Sequence, residues 1–176
     1  MPVLLTVLGL LAAVGYWYFR IRDAGDTVRD LADAANDVRL AARRFGFKRR
    51  ANVHPIDCIE DARMAAAGIT LSVAEMDGAL TQSEIQTATI QFQSVFDISK
   101  DEAEELVTFG RWIASQSGTR AEGVRRMTKR LLGIAGAEAG PDLIKLVTAV
   151  GTADGGTLHV DAEDALQTIR RYFPDA

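Results

Sequence analysis

The sequence predicts an all-α protein, with a single N-terminal transmembrane helix followed by a helical domain of two echoing halves. Three observations carry this. Eighteen uncharged residues stand at the start of the chain, from Pro2 to Phe19. No stretch after Asn52 sustains the period-2 alternation of a half-buried strand. The remainder of the chain divides into apolar stripes at three- and four-residue spacing, set off by capping residues, Gly and Pro. With 176 residues there is room for one ordinary domain plus extra segments.

The first element is the run PVLLTVLGLLAAVGYWYF, which at helical rise spans about 27 Å, close to the hydrocarbon thickness of a bilayer. Tyr16, Trp17 and Tyr18 end it where amphipathic rings favour the headgroup level, and Arg20 and Arg22 follow at once. A cleaved secretory signal fits less well, because no basic region precedes the run and it ends in bulky aromatics where a small-residue cleavage site would stand. The excess of Lys and Arg on the C-terminal side places that side in the cytoplasm.

Residues 20–55 form the second element, a basic amphipathic juxtamembrane connector. Val28, Leu31, Ala35, Val38, Ala42 and Phe45 make one helical stripe. Residues 20–50 hold nine Lys and Arg against five Asp, a net of +4, whereas residues 51–176 hold eleven against nineteen acids, a net of −8. At the end of the connector Arg43, Arg44, Lys48, Arg49 and Arg50 surround Phe45 and Phe47, a cluster suited to anionic membrane lipid. The same cations also serve simply to fix topology and keep the segment solvated.

From residue 56 onward the pattern is a series of helices. The first is expected from near Asp57 to about Met76, with Ile59, Met64, Ile69, Leu71 and Val73 among its apolar positions. Ser99 and Glu102 form a capping box that opens a helix carrying Leu106, Phe109, Trp112 and Ile113. Another runs from Arg120 to Ala137, ended by Gly140-Pro141, and the next from Asp142 to Ala153. The lone Cys58 excludes an intramolecular disulfide and reads as a small apolar residue. His54 and His159 have no partners at ligand spacing and read as ordinary loop residues. No nucleophile constellation or phosphate loop occurs, so an enzyme is not expected. An acidic domain without a Lys/Arg-rich face of its own is a poor match to nucleic acid.

Two segments echo one another: Leu71 to Glu84, containing Met76-Asp77-Gly78, and Leu146 to Asp164, containing Ala153-Asp154-Gly155. Each reads as helix, Asp-Gly turn, apolar residue, cap and helix, with Thr81-x-x-Glu84 and Asp161-x-x-Asp164 as the caps and the second loop two residues longer. This arrangement resembles the TerB-like family, which includes tellurite-resistance proteins and the membrane-proximal domain of a DnaJ-like co-chaperone. The likeness covers about residues 56–173, and Met76 departs from the family's Ala-Asp-Gly turn. The His-Pro-Asp tripeptide of a J domain is absent, since His54-Pro55 is followed by Ile56.

The resemblance implies a domain whose two halves bring Asp77 and Asp154 together, with Glu84 and Glu163 or Asp164 nearby. That is the oxygen-rich cluster Ca²⁺ or Mg²⁺ requires. Each Asp-Gly is equally accounted for as a turn, and each acid as a helix cap. The resemblance further implies a single-pass protein of the bacterial inner membrane whose cytoplasmic domain holds a protein partner, with a stress, tellurite or co-chaperone connection. The alternative is an accessory subunit of a larger membrane complex, docked through residues 2–45.

Overall fold

A computed structural model describes residues 35–174. The compact unit begins at Val38. The first described helix, α1, covers residues 35–44, of which 38–44 belong to this unit. A 3-10 turn, Pro55–Cys58, precedes α2 (Ala62–Ala74), which is followed by α3 (Gln82–Phe96), α4 (Lys100–Ala114) and α5 (Arg120–Ala135). A second 3-10 turn, Ala137–Ala139, leads into α6 (Gly140–Gly151), and α7 (Val160–Tyr172) closes the fold. The described residues contain no strand.

The centre of the unit is α2, against which α4, α5 and α6 pack most extensively. Every residue from Met64 to Ala74 is buried, as expected of a helix with no polar face. Its small residues set the distance of closest approach. A Cβ on Gly110 of α4 would lie 2.8 Å from Leu71 Cδ1 and 3.1 Å from the Ala67 carbonyl, so α4 crosses α2 where neither helix has bulk.

The expected helix from Asp57 to Met76 is interrupted. Ile59 is extended after the 3-10 turn, and Asp61 caps a fresh start by accepting from Arg63 N at 2.8 Å. The Asp61 carboxylate also holds the Arg63 side chain, and that hydrogen bond raises the Arg63 pKa. The expected helix to Ala137 stops at Ala135, because Gly136 takes φ +74°, which a side chain disfavours. The following helix begins two residues earlier than expected, with Pro141 in its first turn, and ends at Gly151. The Ser99–Glu102 capping box forms as read, Glu102 Oε2 accepting from Ser99 N at 3.0 Å. The Ser99 backbone bond, followed by that of its hydroxyl, draws the Glu102 carboxyl below its usual pKa.

The connector divides differently from the sequence reading. The compact unit starts at Val38, well before residue 56, and Ala41 and Phe45 lie in its core. Phe47 packs edge-on against Phe109 and Trp112, with ring centroids 5.2 and 5.5 Å apart, and the Arg63 guanidinium sits 5.0 Å over the Phe45 ring. Both aromatics of the basic cluster therefore serve the domain's own packing. Arg43, Arg44, Lys48, Arg49 and Arg50 are exposed, but Arg44 pairs with Glu105 at 3.1 Å and Arg50 with Glu60. Among the described residues no helix is long and apolar enough to cross a membrane. The run Pro2 to Phe19, and the connector as far as residue 34, lie outside the described residues.

Candidate functional site

The two Asp-Gly turns leave their helices alike and part at the glycine, where φ is +158° at Gly78 and +79° at Gly155. Asp77 stands three residues beyond Ala74, the last residue of α2, and Asp154 three beyond Gly151, the last of α6. Met76 N donates to the Val73 carbonyl and Ala153 N to the Val150 carbonyl, both at 3.1 Å. Gly155 then adopts φ +79°, a conformation that explains the glycine.

The halves exchange contacts at this end of the domain. The hydroxyl of Thr81, the N-cap of α3, lies 3.2 Å from Asp154 Oδ1 and 3.1 Å from Glu84 Oε2 and shares its one proton between them, and Ser83 donates to the Ala153 carbonyl at 3.0 Å. In the reverse direction, Met76 of the first loop joins Asp161, Asp164, Ala165 and Thr168 of α7 in a cleft of about 340 Å³. Arg120, Ala121 and Val124 of α5 complete its lining. The floor is apolar and the rim is carboxylate, because Asp161 and Asp164 are exposed. Arg120 is not a free cation on that rim. It pairs with the nearly buried Glu75 at 2.5 Å and donates to the Ala114 carbonyl at 3.2 Å.

Of the predicted ligand residues, Glu84 and Asp154 meet at the Thr81 hydroxyl, and Glu163 and Asp164 serve other tasks along α7. Glu84 is buried, and its Oε2 accepts from Thr81 N at 2.8 Å in the capping box the sequence predicted. Asp77 is exposed in its loop. Glu163 accepts from Gln167 Nε2 at 3.0 Å along α7, and Asp164 lies on the cleft rim. Among the described residues no three His, Cys, Asp or Glu side chains gather so as to hold a metal ion.

Comparison with known families decides what this pair of loops belongs to. Residues 63–174, more than half the chain, match the model of the tellurite resistance protein TerB. The chain is a member of the TerB family. The match runs from the second residue of α2 to the end of the described fold, so the TerB domain contains both Asp-Gly turns and the cleft between Met76 and α7. Neither curated proteins nor solved structures yield a match.

Three features of the described residues differ from the sequence reading. The cap of α7 is His159, whose Nδ1 accepts from Asp161 N at 3.3 Å, so Asp161 stands inside the first turn and does not begin the helix. The second loop is consequently one residue longer than the first when measured from Asp to cap. His54 similarly caps the 3-10 turn before α2, accepting from Ile56 N at 3.3 Å. Finally, the domain does possess a Lys/Arg-rich face. Arg125, Arg126, Lys129 and Arg130 form a stripe on α5, a pattern visible in the sequence as paired cations four residues apart.

Proposed function

We propose that this TerB-family protein is a membrane-anchored, non-enzymatic interaction module, whose acidic cleft between Met76 and α7 holds a basic, amphipathic segment of a cytoplasmic partner. The observation that carries this reading is the composition of the cleft: the apolar side chains of Met76, Val124 and Ala165 are covered to different degrees, while Ala121, Asp161 and Asp164 are exposed around them. Apolar side chains of the partner would fill the floor while Lys or Arg meets the rim, which gives register and encounter rate as well as contact. The uncharged run Pro2 to Phe19 supports an anchor in the bacterial inner membrane, with the positive flank on the cytoplasmic side.

Two experiments test this. Site-specific photocrosslinking from Thr168 in intact cells is expected to trap a discrete protein, with the yield falling at least fivefold in Asp161→Lys plus Asp164→Lys. No species above background, or an unchanged yield in the variant, would remove the proposal. Alkaline extraction of membranes is expected to leave the chain in the pellet and to release it once residues 2–19 are deleted.

Thr81 engages one oxygen of each carboxylate, Glu84 Oε2 and Asp154 Oδ1, so a Ca²⁺ or Mg²⁺ ion spanning the loops would draw on the second oxygen of each. Calorimetric titration of the full chain with Ca²⁺, against Asp77→Asn plus Asp154→Asn, decides that point, and no heat in the wild type ends it. The accessory-subunit alternative meets one obstacle. Ala41 and Phe45, at the end of the 2–45 docking element, are already buried in their own domain.

A further inference from the structure

We propose that the groove on α5 binds a phosphate-bearing anion, through Arg125 and Lys129 as the recruiting cations and Arg126 and Arg130 as pre-positioned ones. The groove has a volume of about 510 Å³ and is lined by these four side chains together with Asp57, Glu122 and Tyr172. It lies in α5 beyond the cleft described above and depends on none of the residues on that rim.

The charge distribution is the first argument. Residues 51–176 carry a net charge of −8, yet five of their eleven Lys and Arg lie on α5. Two more, Arg170 and Arg171, occupy the last turn of α7, which packs against α5. Such concentration has a cost, because Arg125 with Lys129 and Arg126 with Arg130 are like-charge pairs one helical turn apart, and these weaken a helix. A bound anion would offset that repulsion.

The second argument is that the four cations are held differently. Arg126 is fixed by the Asp57 carboxylate, its Nε donating at 2.9 Å. Arg130 donates its Nε to the Ile59 carbonyl at 2.6 Å, which orients the guanidinium and leaves its terminal nitrogens for a ligand. Arg125 and Lys129 are exposed and form no ion pair among the described residues. Two oriented guanidinium groups beside two adaptable cations suit the several oxygens of a phosphate group. Only two acids face them, and Asp57 is already engaged by Arg126.

The lining also favours a compact ligand over nucleic acid. Tyr172 is the one aromatic residue in the groove, so no platform exists on which successive bases could stack. The surrounding domain is acidic and would repel a long polyanion. The phosphate group can belong to a free compound or to a lipid headgroup.

The experiment uses the full chain in uncharged maltoside micelles, with two probes: inorganic pyrophosphate in solution, and phosphatidic acid doped into the micelle. Saturable binding of at least one probe is expected by calorimetry, with slowed amide exchange in residues 120–135. Arg125→Ala plus Lys129→Ala is expected to weaken it at least tenfold without lowering the thermal midpoint, since the variant also removes a like-charge pair, whereas Arg43→Ala plus Lys48→Ala changes it less than twofold. Binding of pyrophosphate alone assigns a free ligand, and binding of phosphatidic acid alone a headgroup. Binding of neither probe overturns the proposal, as does an equal loss in the two variants. Tighter binding of a single-stranded oligonucleotide than of pyrophosphate also overturns it and gives the face to nucleic acid.

Discussion

Helices α2 and α6 carry the same turn signature and occupy opposite environments. Aligning Asp77 with Asp154 pairs Ile69 with Leu146 and Val73 with Val150, all fully buried, and Thr70 with Val147, buried as well. The same register pairs Gly68 with Lys145 and Leu71 with Thr148, and there the likeness ends: the α2 residues are buried and the α6 residues exposed. The shared stripe faces the core in both halves. The remaining circumference of α2 is covered by α4 and α5, whereas that of α6 meets solvent. A repeated signature therefore fixes how a helix ends and which stripe it buries, while the neighbours decide whether a second stripe is buried too.

The most direct way to break this comparison is to truncate one equivalent position in each half. Leu71→Ala is expected to cost about 2–5 kcal/mol, because the side chain is wholly buried and its contacts with α4 are lost. Thr148→Ala should stay within about 0.5 kcal/mol. Urea denaturation of the full chain in uncharged micelles measures both, and equal losses would contradict the central role of α2. A smaller effect is expected from added bulk. Gly110→Val should cost about 1–3 kcal/mol, since its Cβ meets the Ala67 backbone at 3.1 Å and backbone cannot yield. Gly151→Ala in the other half should be tolerated, because the nearest obstacle is the flexible end of Leu158, and the α2 equivalent is already Ala74.

The contrast also marks what is readable in the chain. Helix class, the two echoing segments and both capping boxes are legible because each depends on neighbours within four residues, as with Ser99 and Glu102. The interruption at Ile59 escapes sequence reasoning because the apolar spacing runs on through it. Only the Asp61 carboxylate turned back onto Arg63 N signals the new start. Phe45 and Phe47 mislead for a different reason. Their flanking cations are a local feature, whereas the Phe109 and Trp112 rings that receive Phe47 lie some sixty residues away in sequence. The meeting of Thr81 with Asp154 is legible only as closeness of the two loops, since a hydrogen bond across 73 positions leaves no periodic trace.

That cross-loop bond yields an intermediate effect that sharpens the comparison between the caps. Thr81→Val removes the cap of α3 together with the donor to Asp154 and should cost about 1–2 kcal/mol. His159→Ala removes a cap alone and should cost about 0.5 kcal/mol. A double-mutant cycle of Thr81→Val with Asp154→Ala is expected to give a coupling near 0.5 kcal/mol. Additive losses would mean that the loops are neighbours without a productive bond.

The smallest expected effect lies where the chain enters each helix. Both α2 and α6 follow a 3-10 turn, but only the first carries an ion pair among the described residues, that of Asp57 with Arg126. The Arg126 hydrogen bond holds the Asp57 carboxyl below its usual 3.8, which fixes the sign of the pH dependence. The unfolded chain, with the higher pKa, takes up the proton first on acidification. The stabilisation is therefore present in full above about pH 4 and fades as pH falls through the lower folded value. Asp57 is 44% and Arg126 36% exposed, so solvent screening limits the contribution to about 0.5 kcal/mol at pH 7. Asp57→Asn should lower stability by that amount at pH 7, and the gap between variant and wild type should narrow toward pH 2.5. Glu138→Gln, in the turn before α6, should show no such pH-dependent gap. A gap that widened on acidification would mean that Asp57 is held in its protonated form, reversing the reading of how Arg126 is anchored.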